Sequence, residues 1–167
     1  KPTMDMLAAQ SVVGLVSNVP EGMVPESDTA NMAILSFDPK EYSRGRSPLE
    51  AVSMGLEMQP NETAYRCNVV TLSEEEDYAN KIMIDHSADE ISPEEADELI
   101  ASLQDKLGTN YRKFYTGVSY RHCLIWQNGN DKYNFARPHD HLGKRVGPIM
   151  PPEPYASMIR RSYEVLK

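Results

Sequence analysis

Ser27 stands where a hydroxyl could take up a phosphoryl group. It lies in Pro25-Glu26-Ser27-Asp28-Thr29-Ala30-Asn31-Met32, where a proline-led loop gives way to an apolar helical run through Leu35. A side chain at that junction meets the unpaired N–H groups and the positive dipole end of a helix, and both favour a bound anion. A serine that carries phosphate would profit from that place. A serine that only caps the helix would also stand there, because Ser, Thr, Asp and Asn dominate the N-cap position. The local pattern leaves both readings open.

Cationic groups that could hold an anion recur further along. Arg66 and Asn68 alternate with Tyr65 and Cys67, so they share one face of a strand. Arg121 and His122 stand in Gly117-Val118-Ser119-Tyr120-Arg121-His122-Cys123, directly before an apolar segment. Two arginines on central strands are costly unless each meets an anion. That anion is either a glutamate of the chain or a phosphate or carboxylate gripped by the guanidinium fork. Arg44 and Arg46, spaced by Gly45, add cations in a loop just before a helix start. His139-Asp140-His141 could turn two imidazoles toward one ion, but a zinc site takes three or four protein ligands. The segment therefore reads as a loop that hydrogen-bonds a substrate or its own backbone. His86, in Asp85-His86-Ser87-Ala88, has no evident partner and reads as structural.

The elements that must position these groups follow from periodicity and punctuation. Asp5 to Gln10 has helical character, and Val12 to Val19 fits a buried strand or two brief ones. Pro20, Gly22 and Pro25 force a loop, and the helix after Ser27 ends at Asp38-Pro39. Ser47-Pro48-Leu49-Glu50 and Ser92-Pro93-Glu94-Glu95 are two helix starts of capping-box type. After the second, Ala96, Leu99, Ile100, Leu103 and Leu107 recur at helical spacing, and Gly108 supplies the stop. Strand formers fill Thr63–Leu72, Lys81–Asp85, Tyr111–Tyr115 and Val118–Trp126. Asn128-Gly129 marks a turn into Lys132–Phe135, and a last helix runs from near Pro154 to the end. Strands mixed with helices in short runs predict an α/β or α+β layer, a mostly antiparallel sheet covered by helices.

Composition narrows the partners. The chain has 167 residues, 40% of them hydrophobic and 25% charged, and a net charge of −8 from 17 basic and 25 acidic residues. That acidity, with no basic stripe, disfavours nucleic acid and leaves room for a small basic pocket that takes an anionic metabolite. No apolar stretch approaches membrane-spanning length. Cys67 and Cys123, both in strand-like runs, read as buried thiols in a reducing compartment. The start at Lys1 and the end at Lys167 in mid-helix pattern lead us to expect a piece of a longer protein.

Several ordered segments resemble known ones. Lys1-Pro2-Thr3-Met4-Asp5-Met6-Leu7-Ala8 is similar to the Thr-Pro-x-x-Asp-x-Leu-Ala segment common in the alkaline phosphatase superfamily. Val19 to Leu35 resembles the nucleophile segment of one branch, the cofactor-independent phosphoglycerate mutases of archaeal type. Arg44-Gly45-Arg46-Ser47-Pro48-Leu49-Glu50-Ala51, Tyr65-Arg66-Cys67-Asn68, Gly117 to His122 and Pro138-His139-Asp140 follow in that branch's order and approximate spacing.

The resemblance implies that Ser27 is the nucleophile and also ligates one of two divalent metals (manganese, or zinc and magnesium) in the full-length enzyme. It implies that Arg46, Arg66, Arg121 and His122 hold the anionic groups of phosphoglycerate, with Asn31, His139 and Asp140 near the same cleft. Residues 1–40 would then belong to the metal-bearing domain and 41–167 to an inserted substrate-binding domain that closes over it. The implied reaction is the interconversion of 2-phosphoglycerate and 3-phosphoglycerate in cytoplasmic glycolysis and gluconeogenesis. The family's other metal ligands have no counterpart here, so the isolated piece is expected to be inactive and to bind no metal. Two other readings stay open: a phosphotransferase of the same superfamily acting on a small hydroxylated acid or on homoserine, and a non-catalytic binding module. Oligomeric state is not readable.

Overall fold

The structure is a computed structural model that describes every residue except Arg44 and Asp131. These residues fall into two units, Lys1–Gly45 and Arg46–Lys167. The smaller unit carries helices α1 (Pro2–Gln10), α2 (Ser27–Ile34) and α3 (Pro39–Tyr42). Asp38 caps α3 by accepting from the Lys40 amide at 2.9 Å. The run from Val12 to Val19, expected as a strand, is not one. A strand needs a neighbour to take its N–H and C=O groups. The described residues of this unit contain no such neighbour, and Val12 and Leu15 stand fully exposed.

The larger unit runs α4 (Arg46–Ser53), β1 (Glu62–Asn68), β2 (Thr71–Leu72), β3 (Met83–Asp85), α5 (Pro93–Leu107), β4 (Arg112–Val118), β5 (Arg121–Gln127) and α6 (Tyr155–Leu166). Its main sheet has the order β1-β5-β4, antiparallel throughout, and β2 pairs with β3 as a separate ribbon. The expected α/β layer with a mostly antiparallel sheet covered by helices is therefore what forms.

Alternation along the strands divides the core into two layers. Ala64, Cys123 and Ile125 pack with Ala51 of α4 on one face. Phe114 and Leu124 pack with Ile100, Leu103 and Leu107 of α5 and Met158 of α6 on the other. The two cysteines, one register position apart on neighbouring strands, face opposite sides and remain free. Burial pushes the thiol of Cys67 up to about 12 and that of Cys123 up to about 11, so both stay protonated and inert.

One of the two helix-start signals forms as written. Ser92 accepts from the Glu95 amide at 3.3 Å and donates to the Glu95 carboxylate at 2.9 Å, with Pro93 in the first turn. The other does not. Ser47 lies inside α4 and its hydroxyl accepts instead from the amide of Arg66, at 3.0 Å. β1 is an edge strand, and Ser47 satisfies an N–H that would otherwise lack a sheet partner.

The run from Tyr111 to Trp126 is a hairpin. Its turn places Ser119 at φ 52°, and one extra residue bulges from β4 between Tyr115 and Val118. Gly117 sits in that bulge, where an added Cβ would run into the backbone carbonyl of Arg121. Only glycine lets the chains approach so closely. Lys132–Phe135, expected as a strand, forms a loop held by rings. Phe135 lies edge-on to Tyr65 and Tyr155, and the Tyr155 hydroxyl accepts from the Asn130 amide at 2.6 Å.

Candidate functional site

Ser27 is the first residue of α2, and the N-cap position belongs to Glu26, which makes no side-chain capping bond. The Ser27 side chain is exposed, with no hydrogen-bond partner among the described residues. Asn31, also exposed, stands four residues on and hence on the same side of the helix. Beside them Asp28 keeps one carboxylate oxygen on the Ser43 hydroxyl at 3.1 Å and leaves the other buried without a partner. The hydroxyl that the sequence offers as either cap or nucleophile does not cap in this structure.

In the larger unit the cations gather on the α4 face of the sheet. Arg66 donates from Nη1 to Glu50 Oε1 at 3.2 Å and from Nε to Asn68 Oδ1 at 3.3 Å. Arg46 approaches the same Glu50 oxygen at 3.6 Å. Asn68 is the register partner of Arg121, which puts Arg121 on this face as well. One carboxylate thus stands between two guanidinium groups, with Arg121 further along the same face, a balance that leaves positive charge for a bound anion. Glu50 has given up its expected capping-box role to sit between Arg46 and Arg66. Arg66 proves to lie on an edge strand, where its guanidinium is partly solvated, so it carries less of the desolvation cost expected of a central one. Arg44 lies outside the described residues.

His122 is not on that face. Its register partner is Cys67, which packs toward α5, and only 3% of its surface is exposed. Nδ1 accepts the Gly117 amide at 3.2 Å, which leaves Nε2 as the protonated nitrogen, buried and without a partner. Burial lowers its pKa to about 4, an effect that Asp97 of α5 partly opposes, so the ring is neutral near pH 7.

His139 and Asp140 occupy a short 3-10 turn, Pro138–His141, with His139 Nε2 at 3.5 Å from Asp140 Oδ1. Both are exposed, and a groove of about 460 Å³ lined by Tyr133, Phe135, Arg137, His141 and Met150 borders the turn. The His139 ring meets the ring of His86 at 6.3 Å, and His86 meets Tyr120 at 5.9 Å. The Arg121 guanidinium lies over Tyr120 at 5.6 Å. His86 therefore joins segments that sequence spacing cannot connect, and its structural reading from sequence missed them. No local signal marks it, because each of its ring contacts is to a residue far along the chain. Among the described residues no three or more His, Cys, Asp or Glu side chains could together hold a metal ion, so the donors present do not make a complete metal centre.

Within the larger unit, two guanidiniums that share one carboxylate make a surface chemically suited to small anions. The family model for 2,3-bisphosphoglycerate-independent phosphoglycerate mutase matches residues 8–167, and the chain belongs to that family. A probable 2,3-bisphosphoglycerate-independent phosphoglycerate mutase of Geobacter sulfurreducens is 41% identical over 145 residues, 87% of this chain and 36% of the relative. The mutase of Methanosarcina barkeri is 39% identical over 171 residues, 99% of this chain and 42% of the relative. A solved cofactor-independent phosphoglycerate mutase from Thermoplasma acidophilum aligns with a TM-score of 0.49 and 24% identity, over 83% of this chain and 39% of that one. The chain thus spans well under half the length of the curated relatives it matches.

Proposed function

We propose that the whole protein interconverts 2-phosphoglycerate and 3-phosphoglycerate through a phosphoserine at Ser27. What carries the reading is the exposed, uncommitted Ser27 hydroxyl at the head of α2 in a chain of this mutase family. Residues 1–40 then belong to the metal-bearing domain and 41–167 to the inserted substrate domain.

In the first half-reaction Ser27 Oγ attacks phosphorus. The new P–O bond forms as the bond from phosphorus to the glycerate oxygen breaks, and the proton lost by Ser27 is matched by one gained at the freed glycerate hydroxyl. The other glycerate hydroxyl then attacks the phosphoserine, and the same exchange runs in reverse. First-turn amides of α2, which have no carbonyl one turn earlier, stabilise the phosphoryl oxygens, and Asn31 adds a side-chain donor. Arg46, Arg66 and Arg121 hold the glycerate carboxylate while it reorients, with His139 and Asp140 at the margin. His122 acts on the other face of the sheet, by shaping the hairpin that carries Arg121.

In the whole enzyme Ser27 would also serve as one ligand of a centre of two divalent ions, which would lower the pKa of the hydroxyl and polarise the phosphoryl oxygens. Among the described residues no group of three or more His, Cys, Asp or Glu side chains completes such a centre. The enzyme works in the cytoplasm on this small-molecule substrate. Turnover of the full-length Ser27→Ala protein with 3-phosphoglycerate tests the reading: we expect a loss of about 1000-fold or more. Wild-type turnover would remove the nucleophile assignment.

A further inference from the structure

We infer that His86 is a positioning residue for the substrate side of the larger unit, one that holds the Tyr120–Arg121 hairpin tip and the His139–Asp140 turn at one separation. The inference rests on the mutase reading above and adds a residue to it. His86 is partly buried, follows directly on β3, and presents its ring edge-on to Tyr120 at 5.9 Å and to His139 at 6.3 Å. Both spacings lie within the range of favourable edge-to-face aromatic contact. Tyr120 in turn underlies the Arg121 guanidinium at 5.6 Å, and His139 leans on Asp140 at 3.5 Å. Three groups expected to bear on the ligand side, Arg121, His139 and Asp140, are thus tied through one imidazole, with Tyr120 as the link to Arg121.

A fixed carboxylate stands behind the imidazole. Nδ1 of His86 is buried without a hydrogen-bond partner, and Asp85 Oδ1 lies 3.5 Å from it. The Asp85 carboxylate is fixed by the Ser87 amide at 3.1 Å, by the Ser87 hydroxyl at 3.0 Å and by the Asp89 amide. Those amide bonds, first that of Asp89 and then that of Ser87, keep Asp85 ionised by lowering its pKa. The loop reaches this arrangement with Ala88, Asp89 and Glu90 all in the left-handed region, at φ 48°, 54° and 52°. Such residues stay there only where surrounding contacts over-determine them. A stiff loop that ends in a ring wedged between two ligand-side segments sets a distance; it does not touch the reacting atoms.

The test uses the full-length protein and two variants, His86→Ala and His86→Phe. We expect His86→Ala to raise KM for 3-phosphoglycerate about tenfold, with kcat within about twofold. We expect His86→Phe, which keeps the ring edges, to stay within about twofold of wild type in both. Calorimetric affinity for 3-phosphoglycerate, measured on wild type, His86→Ala, His139→Ala and the double variant, should show coupling between the two positions. Unchanged KM and affinity in His86→Ala would overturn the inference. So would a His86→Phe variant as impaired as His86→Ala, which would place the imidazole nitrogens on the ligand itself. A wild-type protein that binds 3-phosphoglycerate without turning it over would sink the mutase reading alone, since the binding cycle still reads His86. A wild-type protein that does not bind it sinks both.

Discussion

Gly117 donates its amide to Nδ1 of His122 across 3.2 Å, and that bond fixes both the bulge in β4 and the tautomer of the buried imidazole. The hairpin tip that follows carries Arg121, so the packing of one face of the sheet governs a cation on the other. Gly117→Ala would drive a methyl group into the Arg121 carbonyl. We expect the substitution to cost about 1–3 kcal/mol of stability, measured by urea denaturation, and to raise KM in the full-length protein. A neutral effect on both would show that the bulge relaxes freely.

The depressed pKa of His122 has a definite sign in stability. Its folded pKa, about 4, lies below the ordinary value of 6.5, so the unfolded chain takes up the proton first as pH falls. The stabilisation is present above pH 6.5 and is lost progressively between 6.5 and 4, by on the order of 2–3 kcal/mol. His122→Asn keeps an acceptor for the Gly117 amide and has nothing to titrate. Its denaturation midpoint should fall less than that of wild type across this window. Parallel curves for the two proteins would refute the assignment.

Arg66 uses Nη1 for Glu50 and Nε for Asn68, and leaves Nη2 without a partner among the described residues. Lysine cannot reproduce that fork, because its ammonium is one compact charge. We expect Arg66→Lys in the full-length protein to raise KM for phosphoglycerate about tenfold, roughly 1.4 kcal/mol, with a smaller change in kcat. Steady-state kinetics check this, and an unchanged KM would mean that Arg66 serves only Glu50.

Tyr155 holds the loop before the His139 turn through the Asn130 amide at 2.6 Å and the Tyr65 hydroxyl at 2.9 Å. Removing that hydroxyl in Tyr155→Phe takes away the acceptor of the Asn130 amide and a partner of the Tyr65 hydroxyl. It should lower stability by about 1–2 kcal/mol, seen as a lower midpoint in chemical denaturation with an unchanged slope.

Much of the larger unit is legible in the sequence because its signals are local. The spacing of Ala96, Ile100, Leu103 and Leu107, the Ser92 start and the Gly108 stop define α5 without reference to anything else. The alternation that puts Arg66 and Asn68 on one face survives for the same reason. What was not legible depends on neighbours. Val12–Val19 has the composition of a strand, but a strand exists only beside another. Glu50 reads as a cap until Arg66, on a strand sixteen residues away, competes for it. His122 next to Arg121 suggests a shared task, whereas adjacency along a strand sends the two to opposite faces. His86 gives no sequence signal, because its partners converge only through the fold.

The central claim is that Ser27 carries the phosphoryl group between the two positions of glycerate. Full-length protein, quenched in acid shortly after mixing with 3-phosphoglycerate and digested, tests it by mass spectrometry of the peptide that contains Ser27. We predict a phosphate on Ser27 that disappears in Ser27→Ala together with turnover. An active enzyme whose Ser27 peptide never gains phosphate, or a Ser27→Ala variant that turns over normally, would contradict the account.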